Sequence, residues 1–321
     1  IKNIKESVVH MEQTINNVNI TGVLVKNGLE KKEGQKGEFI GGSLILRTDD
    51  KSEHEIRYIA NKYKKDKEGN VTDEESGLYK GLETVIDEYK SLENNPEDPD
   101  VIKIGLGNFD VQDYMGKQDG LLKTFTNVSA RFANRISGED LETNPKVATF
   151  EVEGIITNIV DELKKEIATG NKEIHLDIIG YKGKIIPIKL IVPAKIAPAF
   201  MAAGFFPTGA GKFSGKIINT KTVETKTEHQ AFGEDIVKQV TTTLRLYEVT
   251  GGTPKTMEDI KISNEEYETA KSKRRLKLQE LKNKAGNQQN GFTPNPAVQA
   301  PASMTANNPF AQGSQNPFMQ K

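Results

Sequence analysis

The chain has 321 residues, no cysteine or tryptophan, 28% charged side chains and a net charge of −1. That length suits two ordinary domains, and the lack of cysteine excludes disulfides, thiolate metal sites and a cysteine nucleophile, in keeping with a reducing compartment such as the cytoplasm. No run of about 18 apolar residues is present to span a membrane, and the balanced charge leaves any grip on nucleic acid to local patches.

Residues 1–13 read as an N-terminal extension, with Met11 the better natural start and no signal-peptide core before it. A first domain is expected over 14–138. "VNITGVLV" from Val18, "GGSLILRT" from Gly41 and "HEIRYIA" from His54 are short alternating or β-branched runs split by Gly, Asp and Lys loops, which predict three strands. A helix follows, with Leu78, Leu82, Val85, Ile86 and Tyr89 at helical spacing and Asp73 placed to cap its start. Past the breaker "NNPEDPD", the segments "VIKIGLGNFDVQDYM" and "LLKTFTNVSARFANRI" read as two more strands, and 139–147 as a linker.

A second domain over 148–252 repeats the order. Phe150, Val152, Gly154 and Ile156 take the places of Val18, Ile20, Gly22 and Leu24. A hairpin turning at Tyr181–Lys184, a short helix in "AKIAPAFMAAGF" and two last strands complete it. Between that helix and the fourth strand lies "GFFPTGAGKFSGK". Its Gly-Lys pairs resemble a phosphate loop, but Phe206 and Ala210 stand where the first glycine belongs, and Phe213 and Ile217 where a hydroxyl would reach magnesium. The glycines are instead expected to serve a sharp turn or a close backbone approach.

Residues 253–286 read as a linker and C-terminal helix, started by the capping box Ser263–Glu266 and closed by Gly286. The rest, 287–321, is rich in Asn, Gln, Pro and Ala, holds no acid and is expected to be a disordered tail. It repeats "NPF", which makes Phe310 and Phe318 candidates for docking a protein partner.

Strand, strand, strand, helix, strand, strand is the order of the OB-fold, a five-stranded barrel whose second and third strands and loops commonly bind single strands. Two copies and a flexible tail resemble the single-stranded-DNA-binding proteins of bacteriophages that infect Gram-positive bacteria, over about 14–252, and the Lys-, Asn- and Ile-rich usage suits such a source. The resemblance implies a mainly β chain of two tandem OB-fold-like five-stranded barrels, each with an inserted helix. It also implies non-enzymatic, sequence-independent binding of single-stranded DNA in phage or mobile-element replication or recombination, without a cofactor. The end "QNPFMQK" is similar to the Pro-Phe tip of bacterial single-strand binders in Pro317 and Phe318, though it lacks their acidic run and adds Met319, Gln320 and Lys321. By that likeness it would recruit replication or recombination proteins.

A single-strand groove needs cations along the phosphates and aromatic faces for the bases. In "LLKTFTNVSARFANR" alternation puts Lys123, Phe125, Asn127, Ser129 and Arg131 on one face and Thr126, Val128, Ala130 and Phe132 on the core face, unless the phase is reversed and Phe125 is core. Arg57, Tyr58, Lys62 and Tyr63 form a second basic and aromatic mixture, Tyr181, Lys182 and Lys184 a third at a hairpin tip, and Lys212, Phe213 and Lys216 a fourth, with Arg47 a further candidate. A solvated surface explains charged tips equally well. No Ser/His/Asp signature, metal cluster or dinucleotide fingerprint occurs, and the dense acids at Asp73–Glu75 and Glu97–Asp100 suit capping and solubility, so no enzyme is expected. The rival reading is a structural or interaction protein of a phage. Phe125 in a groove with Lys123, Arg131 and Arg57 favours strand binding, whereas Phe125 in the core favours the rival.

Overall fold

A computed structural model describes residues 11–289 apart from 36, 67, 117–118, 229, 231 and 233–235. Most of the N-terminal extension and nearly all of the tail, with Phe310 and Phe318, thus lie outside the described residues. The chain is mainly β, as the alternating runs predict. Three strands open it: β1 (Asn16–Gly34), β2 (Gly37–Asp49) and β3 (Ser52–Asn61). A small hairpin that sequence reading missed, β4 (Tyr63–Lys65) and β5 (Val71–Glu75), precedes helix α1 (Gly77–Glu88). Asp73 therefore lies in β5 and not at the cap, which is Ser76. Tyr79, Leu82 and Val85 turn the buried face of α1 to the barrel.

The next two strands are each broken once, giving β6 (Val101–Gly105), β7 (Asn108–Met115), β8 (Leu122–Ser129) and β9 (Phe132–Ile136). The break at Ala130–Arg131 resets the alternation. Ala133 joins the core and Phe132, expected there, is exposed. A ring closes as β1–β2–β3, then β3 to β8 in parallel through Ile56↔Val128 and Arg57↔Ser129, then β7/β6 back to β1.

After the short helix α2 (Asp140–Thr143) come β10 (Val147–Lys164), β11 (Ile167–Ile179), β12 (Ile185–Val192), α3 (Ala197–Ala202), β13 (Ala210–Glu228), β14 (Ile236–Lys255) and α4 (Asn264–Gln289). They close a second ring of the same kind, β10–β11–β12–β14–β13–β10, again with one parallel contact, Ile191↔Glu248. Both rings are five-stranded and OB-fold-like. The repeat is visible in detail: β1 bulges between Leu24 and Lys26 and β10 between Ile156 and Asn158, each just after the matched Gly22 or Gly154. A Cβ on Gly22 would stand 2.7 Å from the Arg47 carbonyl oxygen, so the bulge needs a residue without one.

The barrels are joined edge to edge. β1 pairs antiparallel with β10 from Asn16↔Val152 to Thr21↔Val147, with Val18 opposite Phe150. A long hairpin of β13 and β14 also reaches past its own barrel to β3, where Thr220 pairs with Ser52 and the Lys221 N–H donates to the Lys51 carbonyl at 2.9 Å. One buried cluster runs through both halves, from Ile20, Leu44 and Ile56 to Leu176, Leu190 and Phe213. A second lies under α4, where Ile260, Ile262, Tyr267 and Ala270 cover Ile179 and Ile185.

The glycine-rich run is a packing device. Gly204, at φ 84°, follows the C-terminal end of α3. Phe205 then stacks between Phe200 (4.8 Å) and Phe213 (5.1 Å). A Cβ on Gly211 would come 2.7 Å from the Phe213 ring and one on Gly215 2.5 Å from the Phe150 ring. The capping box forms as expected, the Ser263 N–H donating to Glu266 Oε2 at 2.8 Å and the Glu266 N–H to Ser263 Oγ at 3.2 Å. Helix α4 continues beyond Gly286, its predicted end, to Gln289.

Candidate nucleic-acid interface

The strands that meet between the barrels enclose a groove of about 470 Å³. Strand β3 supplies Arg57 to it, β8 Phe125, β12 Lys189 and β14 Arg245, with the buried Ile191 and Ile217 and the exposed Leu163 also in its lining. Phe125 is 37% exposed and so lies outside the core. It stands opposite Gln112 of β7, whose Oε1 accepts a hydrogen bond from Arg57 Nη1 and so ties that guanidinium to the cross-strand neighbour of Phe125. The Arg245 guanidinium lies 6.0 Å from the Phe125 centroid and its Nε donates to Asn219 Oδ1 at 3.1 Å. One arginine thus lies by the aromatic ring and a second lines the same groove, which suits a base stacked on Phe125 with its phosphates near cations. Lys189 is held at 2.9 Å by Glu173. Burial works against the charge of Glu173, yet hydrogen bonds from Lys189 and His175 keep its carboxyl below the ordinary range.

A second groove, of about 550 Å³, is lined by Asn16, Asn17, Asn108, Arg131, Tyr181 and Lys184 among others. Tyr181 is 69% exposed, with the Lys182 ammonium 5.3 Å from its ring centroid. Lys184 pairs with Asp110 of β7. Among the described residues Arg131 has no ion-pair partner, so it is open to an incoming anion. Behind the two grooves the core ring of Phe109 meets that of Tyr247 at 4.8 Å between centroids.

The structure therefore brings Arg57 and Phe125 together in one groove, and Arg131, Tyr181 and Lys184 in the other with Lys182 alongside. Lys123 stands two residues from Phe125 on the same strand but is tied to Asp119 at 2.8 Å and lines neither groove. Arg47 is paired with Glu53 (2.7 Å), Lys62 with Glu38 (2.8 Å) and Lys212 with Glu151 (2.7 Å), all outside the grooves. Tyr63 (37% exposed) and Lys216 are at the surface elsewhere.

Two candidates are corrected. Tyr58 is buried, because Ile56, Tyr58 and Ala60 form the inward phase of β3, and burial raises its phenol far above the ordinary value. Phe213 is fully buried between glycines and Phe205, with no ring face left for a base. Arg245, Lys189 and Leu163 were missed. Arg245 alternates with the apolar Leu244 and Leu246 in "TTTLRLYEV", but nothing local marks it as the neighbour of Phe125 from the other half of the chain.

His54, in the wall of the first groove, is 3% exposed, and burial pushes its imidazole down to about 4 against a weaker opposing pull from Asp49. The unfolded chain takes up this proton near pH 6.5 and the folded chain only near 4, so the unfolded state binds more protons in between. Stability is thus expected to fall as pH drops through that window, by about 3 kcal/mol at its acid end. Urea denaturation at a series of pH values checks this: the His54→Gln variant should show a flatter curve than the wild type, and parallel curves would contradict the assignment.

No helix among the described residues is long and apolar enough to cross a membrane. No curated protein matches the sequence closely enough to count as a relative. Solved structures with similarity to the chain include the wild-type single-stranded DNA binding protein from Thermus aquaticus, at 13% identity over 76% of this chain and 95% of that one, TM-score 0.44. A deletion mutant of that protein matches at 12% identity over 75% and 95%, TM-score 0.41. A replication protein A heterotrimer bound to ssDNA matches at 14% identity over 77% of this chain and 52% of that one, TM-score 0.21. The sequence profile of the YorF family matches residues 14–284, and the chain belongs to that family.

Proposed function

We propose that this protein binds single-stranded DNA without sequence preference, as a non-enzymatic coat in the replication or recombination of a phage or mobile element. The observation that carries the reading is an open groove between two OB-fold-like barrels that holds Phe125, with the Arg245 guanidinium 6.0 Å from its ring centroid and Arg57 in the same lining. Every base offers a π-face to such a platform, so stacking confers affinity without a sequence code. The exposure of Phe125 speaks against the rival reading of a purely structural β protein, for which this ring would belong in the core. The second groove extends the same chemistry through Arg131 and Tyr181. The Lys-, Asn- and Ile-rich usage supports a phage of a Gram-positive host as the source.

Fluorescence anisotropy with a labelled dT oligonucleotide tests this. The full chain should bind, and more weakly as salt rises, because Lys and Arg contacts release the strand's counterions. Phe125→Ala should weaken binding by about 5- to 150-fold, the equivalent of one lost stack of about 1–3 kcal/mol, with little change in melting temperature. Retention of the oligonucleotide no better than that of a neutral control protein at low salt would end the proposal.

A further inference from the structure

We infer that carboxylates hold the groove lysines Lys184 and Lys189 of the free protein in the positions that phosphates come to occupy, with Asp110 the principal such competitor, so that strand entry is an exchange of anions. The inference rests on the two grooves being the strand's path. Lys184 Nζ is bonded to Asp110 Oδ1, and the side chains are 39% and 44% exposed, so the pair sits at the mouth of the second groove and not in the core. It joins the halves of the molecule, Asp110 coming from β7 and Lys184 from the turn before β12. The same arrangement recurs in the first groove, where Glu173 holds Lys189 at 2.9 Å.

Carboxylate and phosphate oxygens take the same ammonium donors at similar distances. A water-screened pair opens readily, so Asp110 does not block the groove. It does lower affinity twice over: the pair must part, and the bared carboxylate then faces an incoming polyanion at short range. It also changes the response to salt. A lysine that neutralises a phosphate releases a cation from the strand, but an Asp110 left alone draws one back, so this contact adds almost nothing to the salt slope.

The Asp110→Asn variant separates these effects. Asparagine keeps the Oδ1 acceptor that the Val111 N–H uses at 2.8 Å, so the local fold is retained. Binding of the full chain to a labelled dT oligonucleotide is measured at several salt concentrations. Asp110→Asn should bind about 3- to 10-fold more tightly at low salt, with a slope of log affinity against log salt steeper by about 0.7. Asp98→Asn, which removes the same charge from the Lys90–Asp98 pair (2.8 Å) outside both grooves, should leave affinity and slope at wild-type values. The double variant Asp110→Asn/Lys184→Gln should fall to wild-type affinity or below. Affinity of Asp110→Asn equal to or weaker than wild type, or a gain matched by Asp98→Asn, overturns the exchange while the strand-binding reading stands. A wild-type chain that does not bind dT removes that reading, and the exchange with it.

Discussion

Phe109→Ala should cost about 3–5 kcal/mol of stability, the range for deleting a fully buried aromatic side chain. Phe109 has no exposed surface, and its ring meets Phe150 edge-on at 6.0 Å and Tyr247 at 4.8 Å, while those two meet each other at 6.2 Å. The ring comes from the first half and both neighbours from the second, so the cavity opens at the junction of the barrels. Asn16 fixes the backbone beneath it, donating from Nδ2 to the Phe109 carbonyl and accepting the Phe109 N–H on Oδ1, each at 2.9 Å. Urea denaturation should show the lower midpoint together with a broadened or split transition, because the halves lose their shared aromatic contact while keeping their own cores. A single transition within about 1 kcal/mol of wild type would show that the triad does not couple them.

Arg274→Ala should have an effect of similar size, confined at first to the C-terminal helix. Asp113 has a side chain only 3% exposed, and Arg274 of α4 reaches it with Nη2 at 2.8 Å to Oδ1 and Nη1 at 3.1 Å to Oδ2. Nη1 also approaches the Ile185 carbonyl at 3.3 Å, so one guanidinium ties α4 to both barrels. Removing the arginine leaves a buried carboxylate without its cation, which typically costs about 3–5 kcal/mol. Tyr267, donating to Asp177 at 2.8 Å, is the helix's other polar tether. Hydrogen exchange should show the amides of 264–284 losing protection before those of the barrels. The double variant Asp113→Asn/Arg274→Met should recover more than half of the loss, since no uncompensated charge then remains. Unchanged protection in Arg274→Ala would mean that the apolar face of Tyr267 and Ala270 alone holds the helix.

Most of the architecture was legible because its signals are local. Period-two runs placed the strands, the spacing from Leu78 to Tyr89 placed α1, and the Ser263–Glu266 pair placed the start of α4. Errors came from phase. Neighbouring residues in a strand point to opposite faces, so Arg57 and Tyr58 could not both line one surface, nor could Lys212 and Phe213. The apolar partners Ile56 and Ala60, or Gly211 and Ile217, decide which member turns inward. The short β4–β5 hairpin escaped notice because "YKKDKEGNVTDEE" is almost wholly polar and carries no alternation. The candidate site was legible only in part. Phe125 and Arg57 come from one half, whereas Arg245, Lys189 and Leu163 arrive from the other, from 38 to 120 residues beyond Phe125 in sequence, which no local pattern records.

The register between β1 and β10 has a consequence for direction. Val18 stands opposite Phe150, Asn16 opposite Val152 and Ile20 opposite Ala148, so residues that correspond in the repeat sit symmetrically about one pair. Locally the halves meet as two identical subunits would across a two-fold axis, an isologous contact made within one polypeptide and of the kind left when the genes of a dimer are fused. A DNA strand has a 5′ and a 3′ end and cannot share that symmetry. Running on from one barrel to the other, it would meet equivalent surfaces in opposite senses, so it cannot be held the same way twice. On the proposed reading, the different linings of the two grooves, Phe125 with Arg57 and Arg245 in one and Tyr181 with Arg131 in the other, would give such a strand a different hold in each.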